Sequence, residues 1–317
     1  MRKAALNTAY LLAQQDERVV FIGSDLGAGT LAGMKETLPE RFFMEGIAEQ
    51  NLVGMAAGMA MEGLVPFVNT IATFLTRRCF EQIAVDLCLQ NLPVRLIANG
   101  GGVVYAPLGS THLALEDIGI LRALPNITIL APSDAKEMIA AVKATASVPG
   151  PVYIRLGKGG DPVIFGADET FAIGKASLKK AFAGTPDARR RVGIISTGVM
   201  THRCLQTVAA LTGQGLDVAV LHLATLKPLD AQAIRDLAAG SDLLVTVEEH
   251  CPHGGLHSAV LETLHAPTAG PLTPVGPVLR LSLPDAFPTA YGSQEQLLEL
   301  AGLDPDGITR SILAAAG

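Results

Sequence analysis

Glu49 lies within FFMEGIAEQNLVGMAAGMA, residues 42–60, a run that apart from Glu45, Gln50 and Asn51 is otherwise apolar or small. A carboxylate in the first turn of a helix gains roughly 0.3–1 kcal/mol from the helix dipole, and that alone would account for it. Its neighbours suggest more. Gly54, Ala56, Ala57, Gly58 and Ala60 follow on the same helix. Other backbone or a ligand can approach such a surface closely, seal the acid from water and raise its pKa. Farther along, TFLTRRCFEQ supplies Phe74 and Phe80, in a chain with only 4% aromatic residues. NGGGVVYAPLGSTHLALED then places His112 on a loop just before a helix. A shielded acid, aromatic platforms and a loop histidine are what is needed to clamp a nitrogen heterocycle and shift its tautomer. Each residue also has a plainer reading: the rings as core packing, the histidine as a structural hydrogen-bonding group.

Those groups need a scaffold. At 317 residues the chain exceeds one average domain, so two domains of roughly 150 residues each are expected. Val19–Gly23, Val65–Val68, Val94–Ala98, Ile127–Ala131 and Val152–Leu156 read as short β-rich runs, with helical patterns near 49–62, 77–90, 113–123 and 134–147. Strands alternating with helices imply a parallel sheet covered on both faces. The rhythm is lost after residue 157, where KGGDP, GADETFAIG and GTPDARRR are rich in turn formers and charge. It resumes with VGIIS at 192–196, a helix from about 200, DVAVLHL at 217–223, a helix near 230–239, DLLVTVEEH at 242–250, a helix from Gly254, VLRLSL at 278–283 and two closing helices. The expected fold is α/β: a first domain over 1–165, a linker over 166–191 and a second domain over 192–317, each a mostly parallel sheet covered by helices.

Composition excludes some functions. A net charge of −6 and a pI near 5.6 give no electrostatic footprint for nucleic acid or an anionic membrane. Mean hydropathy is high, +0.37, yet no uncharged apolar run reaches the ~18–20 residues of a spanning helix. The surplus is expected in buried parallel strands and a large subunit interface. The apolar stretch of MRKAALNTAYLLAQQDER is broken by Asn7 and Thr8, which argues for an amphipathic helix rather than a signal peptide. Cys79, Cys88, Cys204 and Cys251 form no CxxC and read as reduced thiols of a cytoplasmic protein. His250, Cys251, His253 and His257 are close in sequence, but adjacent positions diverge and no second ligand group appears, so no metal ligands are assigned.

RFFMEGIAEQNLVGMAAGMA, ATFLTRRCFEQI, LGSTHLALEDIGILRALPNITILAPSD and GPVYIRLGKG, in this order, resemble the pyrimidine-binding domain of the transketolase family of thiamine-diphosphate enzymes. VEEHCPHGGLHSAV and the segment from AYG onward resemble that family's C-terminal domain. The resemblance implies that Glu49 hydrogen-bonds the aminopyrimidine of thiamine diphosphate, favouring the imino tautomer that deprotonates the thiazolium. It implies that Phe74 and Phe80 are rings beside the pyrimidine, with Arg77 where the best-known transketolases have another aromatic. It places His112 in the G-x-T-H motif that reaches substrate oxygens. Arg2 and Lys158 fall at or near phosphate-contacting arginines, although either also reads as a solvated surface cation.

The departures matter as much. The G-D-G…N-N stretch that holds the diphosphate through Mg²⁺ in full-length transketolases is absent. The resemblance therefore implies the β subunit of a split, two-gene enzyme, with Mg²⁺ bound by an N-terminal partner subunit in an α₂β₂ assembly. Where sugar transketolases carry a Glu-Asp pair before G-x-T-H, this chain has Pro107 and Leu108; Gly100 stands where a phosphate-contacting histidine is expected, and Gly29 replaces a serine. A site built to read hydroxyls rejects analogues by large factors, so the expected substrate is an atypical ketose or 2-keto acid, smaller, less hydroxylated or unphosphorylated. Two other readings stand beside transfer of a two-carbon ketol unit. One is the β subunit of a 2-oxo acid dehydrogenase; the other is a non-catalytic assembly partner in which Glu49 is idle.

Overall fold

A computed structural model describes residues 1–184, 188–266 and 276–317. The first half contributes β1 (Val19–Gly23), β2 (Phe42–Met44), β3 (Val65–Ile71), β4 (Arg95–Asn99), β5 (Thr128–Leu130) and β6 (Val152–Leu156). From the second half come β7 (Ser177–Lys180), β8 (Arg190–Ser196), β9 (Leu216–His222), β10 (Thr225–Lys227), β11 (Leu243–Val247) and β12 (Val278–Leu281). They form a seven-stranded sheet, β10-β5-β6-β4-β3-β1-β2, and a five-stranded sheet, β12-β11-β8-β9-β7. Both are parallel apart from one edge strand each: β10 runs antiparallel to β5, and β7 antiparallel to β9. The mostly parallel, two-sheet α/β architecture is the one the alternating pattern implies.

Strands β1, β4, β6, β9 and β11 are buried at every position, which is why apolar residues dominate them without alternating with polar ones. The N-terminal helix, Arg2–Gln15, lays Ala5, Leu6 and Ala9 against Met138, Ala141 and Val142 of helix Ala135–Thr145. A larger apolar cluster runs without a break from Leu52, Leu75 and Leu96 of the first half to Ile195, Leu221 and Leu244 of the second. The two sheets thus share a core.

Two local departures bear on the site. Sequence periodicity predicts one regular helix over 77–90, but the chain forms a short helix at Ala72–Thr76, turns at Arg77 and Arg78, resumes at Phe80–Gln82 and widens into a π-helix at Ile83–Cys88. There the Leu89 N–H reaches back five residues to the Ala84 carbonyl at 2.9 Å, keeping Ile83, Leu87 and Cys88 inward. Segment 166–191 contains β7, the polar SLKK edge strand of the second sheet. All four cysteines are free; Cys79, Cys88 and Cys204 are buried and Cys251 is half-buried.

Candidate active site

Glu49 opens helix Glu49–Met61, which turns Leu52, Val53, Ala56, Ala57 and Ala60 into the core. The small residues divide into two faces. The alanines pack, whereas a Cβ on Gly54 or Gly58 would meet nothing within 4 Å. Glu49 itself is 2% exposed. Its Oε2 accepts from Arg78 Nη1, and its Oε1 accepts a long hydrogen bond from Thr70 Oγ1 at 3.4 Å. The acid is shielded, and the group it faces within this chain is a guanidinium.

Arg78 also lies over the Phe74 ring, 4.4 Å from its centroid, a cation–π contact. On Phe74 the His112 ring sits edge-on, centroids 5.1 Å apart and planes at 65°. Glu49, Arg78, Phe74 and His112 therefore form one continuous cluster, joining the start of a helix, the kink after β3 and the loop after β4. Sequence reasoning reached three of the four. It named Arg77 rather than Arg78, and nothing in a doubled arginine says which one turns toward the acid. Arg77 turns the other way: its Nε donates to Thr73 Oγ1 at 2.7 Å, its Nη2 to the Leu113 carbonyl at 2.7 Å, and it pairs with Glu116 at 2.8 Å. Phe80 is half-buried and packs against the main apolar cluster.

Arg2 and Lys158 meet in a single cleft of about 280 Å³, bounded also by Asn99, Tyr105, Pro107 and Leu108. Gly100, at φ +78°, explains part of its shape: a Cβ there would run into the Tyr105 ring. Burial pushes the Tyr105 phenol up in pKa, opposed by the charge and hydrogen bond of Arg2. The cleft reaches the acid through Asn99, whose Nδ2 donates to the Thr70 carbonyl at 2.9 Å and to Asn69 Oδ1 at 2.7 Å. With Nδ2 placed on two oxygens, Asn99 Oδ1 is a buried acceptor with no partner among the described residues. Gly29 lies in a separate hollow with Arg2, Lys3 and Asn7. Tyr105 and Asn99 are not singled out by sequence reasoning. The signal for Tyr105 was the glycine at 100, which clears room for a large neighbour.

Among the described residues no group of three or more His, Cys, Asp and Glu side chains gathers as a metal site. His250 is engaged at both ring nitrogens, Nε2 accepting from Gly119 N–H at 3.1 Å and Nδ1 meeting the Cys251 carbonyl at 2.8 Å. His257 Nδ1 pairs with Thr246 Oγ1 at 2.9 Å. Among the described residues, no helix is long and apolar enough to cross a membrane.

Comparison with known proteins identifies both domains. Residues 1–160 match the transketolase pyrimidine-binding domain and residues 184–308 the transketolase C-terminal domain. One of the subunits of the apulose-4-phosphate transketolase of Phocaeicola vulgatus is 35% identical over 314 residues, covering 98% of this chain and 96% of that protein. The 1-deoxy-D-xylulose-5-phosphate synthase of Caldanaerobacter subterraneus subsp. tengcongensis is 36% identical, and there the chain spans 46% of the relative's length. Among solved structures, a split-gene transketolase described as an inactive beta4 tetramer superposes with a TM-score of 0.85 at 34% identity, covering 99% of this chain and 97% of that one. The transketolase of Campylobacter jejuni, 18% identical with a TM-score of 0.77, shares the fold.

Proposed function

Since the chain belongs to the transketolase family, we propose that it is the acid-supplying β subunit of a two-chain, thiamine-diphosphate-dependent enzyme that moves a two-carbon ketol unit from a ketose to an aldehyde. Thiamine diphosphate is the cofactor the family implies. The observation that carries the reading is Glu49, sealed at the start of a helix and joined through Arg78 to an aromatic ring and a loop histidine. These residues fit the pyrimidine end of the cofactor, a flat heterocycle with ring nitrogens.

When bound, thiamine diphosphate supplies the carbanion chemistry that breaks and makes the carbon–carbon bond. Glu49 offers Oε1, which accepts a long bond from the Thr70 hydroxyl at 3.4 Å, as the atom that shares a proton with a pyrimidine nitrogen. Arg78 holds Oε2 and so fixes the carboxyl plane. Phe74 presents an apolar face to stack against. His112 meets Thr111 Oγ1 through Nδ1 at 3.0 Å and presents Nε2 to a substrate oxygen. Arg2 and Lys158 draw an anionic end of the substrate into their cleft. Pro107 and Leu108 form its apolar wall and select a substrate with fewer hydroxyls than the sugar phosphates.

The diphosphate and Mg²⁺ are assigned to a companion chain in an α₂β₂ assembly. This rests on two relatives that the chain covers almost end to end, one named as a subunit of its transketolase and the other the product of a split gene. The open Gly54–Gly58 face beside exposed Met61 suits close approach by another chain. We place the assembly in the cytoplasm. Co-purification of the companion and reconstitution with thiamine diphosphate and Mg²⁺ test the proposal. Ketol transfer is expected from the pair and from neither chain alone. Carbon dioxide release with dependence on a lipoyl carrier would point to an oxo-acid dehydrogenase instead, and strong preference for xylulose 5-phosphate would contradict the substrate reading.

A further inference from the structure

The loop that carries His112 is pinched at its base. Gly102 N–H donates to the Ala114 carbonyl at 2.9 Å and Ala114 N–H returns to Gly102 at 3.0 Å, so residues 103–113 leave the first sheet and come back through a single neck. What packs on that neck comes largely from the second domain. Glu249 is 2% exposed. Its Oε1 accepts the Val103 N–H at 2.8 Å, and Gln294 Nε2 donates to both of its oxygens at 3.0 Å. A Cβ on Gly102 would run into this carboxyl, and one on Gly101 into Arg155. Arg155 Nη2 in turn donates to the Glu249 carbonyl at 2.9 Å and to Ala114 at 3.2 Å. The tip is held too: Ser110 Oγ donates to the Pro288 carbonyl, and a Cβ on Gly109 would come within 2.8 Å of the Tyr291 ring.

A buried carboxylate is an expensive way to fill space, since a well-packed apolar group of similar volume is often as stable or more so. The backbone amide that Glu249 holds is the first one of the loop. We propose that Glu249 is a positioning residue: the second domain fixes the neck of the 103–113 loop through this carboxylate, and so sets where His112 stands against Phe74. The consequence for turnover rests on the role of His112 given above; the positioning does not. On this basis GGG at 100–102 is a seat for three side chains, Tyr105, Arg155 and Glu249, two of them reaching in from outside the loop.

Amide hydrogen exchange on the full chain tests this without cofactor or substrate. In Glu249→Gln one acceptor oxygen remains where the carboxylate offered two, and the bonds from Val103 N–H and Gln294 lose their charge assistance. Exchange across 103–113 is expected to quicken by roughly ten- to a hundredfold, the range set by hydrogen bonds to a charged group, while 216–222 in β9 stays as in the wild type. Gln294→Ala, which leaves the loop untouched, is expected to give a smaller rise in the same peptide, and it serves as the test if Glu249→Gln does not fold. Unchanged exchange in the loop, or an equal rise in 103–113 and 216–222, overturns the proposal. In the reconstituted enzyme, Glu249→Gln is expected to raise KM more than it lowers kcat. If the ketol-transfer reading fails while the loop still loosens, the positioning stands by itself.

Discussion

Arg78 donates to Glu49 Oε2 while its guanidinium covers the Phe74 ring, so one side chain ties the acid to the aromatic face. The Arg78 side chain is 42% exposed and Glu49 is 2% exposed. The pair is therefore solvated from one side only, where a ligand or another chain can also enter.

This asymmetry separates stability from catalysis. Glu49→Gln keeps the shape of the side chain, and half-exposed Arg78 can solvate its own charge, so the melting temperature is expected to move by only a few degrees. Turnover of the reconstituted enzyme is expected to fall by about 10³-fold or more if, as proposed, Glu49 is the acid that shares a proton with the cofactor. Calorimetry and steady-state kinetics on the same preparation check both halves. A fall of less than tenfold would restore the reading in which Glu49 is idle.

The seat at Gly100 makes a steric prediction. Gly100→Ala places a methyl into the Tyr105 ring at a positive φ, and overpacking with backbone strain costs about 1–3 kcal/mol. The double variant with Tyr105→Ala is expected to recover part of that loss. Urea unfolding of the two single variants and the double completes the cycle, and strict additivity would mean that the ring and the methyl do not meet.

Acid should loosen the joint between the domains. Burial pushes the Glu137 carboxyl up, but the charge and hydrogen bond of His222 and the Ser133 N–H and hydroxyl outweigh it and bring the group down to about 2. His222 Nε2 lies 3.0 Å from Glu137 Oε2, joining β9 of the second domain to helix Ala135–Thr145 of the first. Because the folded value lies below the unfolded one, this stabilisation is fully present above about pH 4.5 and is lost as pH falls toward 2. It is on the order of 3 kcal/mol. Denaturant unfolding at pH 5 and pH 3, compared with Glu137→Gln, measures it: the variant is expected to show the shallower decline.

Thiol chemistry reports the burial pattern. Burial pushes Cys79 and Cys204 up to about 12 and Cys88 up to about 11, so the thiolate that reacts is scarce at neutral pH. Cys251 is half-buried. A disulfide reagent at pH 8 is expected to titrate one thiol quickly in the folded chain and all four in denaturant, and Cys251→Ser should abolish the fast one.

Much of the fold was legible because buried parallel strands spell themselves out. Val19–Gly23 and Val152–Leu156 are apolar almost throughout, and both appear with those bounds. Short or polar strands leave no such trace: Phe42–Met44 sits inside the run that drew attention to Glu49, and Thr225–Lys227 holds a lysine and a threonine. At the site, the acid, Phe74 and the loop histidine could be named because residue type and order limit their chemistry. Arg78 and Glu249 could not, since each acts by where a turn or a distant strand brings it, while Tyr105 left only the indirect trace of Gly100. Glu249 and Val103 are 146 positions apart, a separation over which a single sequence carries no pairing signal.

Strand β10 hydrogen-bonds to β5 at the margin of the first sheet although it is encoded after the second sheet has begun. A first half expressed without the residues after 192 would lack that margin and bare a row of backbone donors and acceptors around Ile129 and Leu130, a template for self-association. The two halves are in this sense a single heritable piece: recombination or gene fission can add or remove partners around it, but a cut through its middle leaves a sticky remnant rather than two modules.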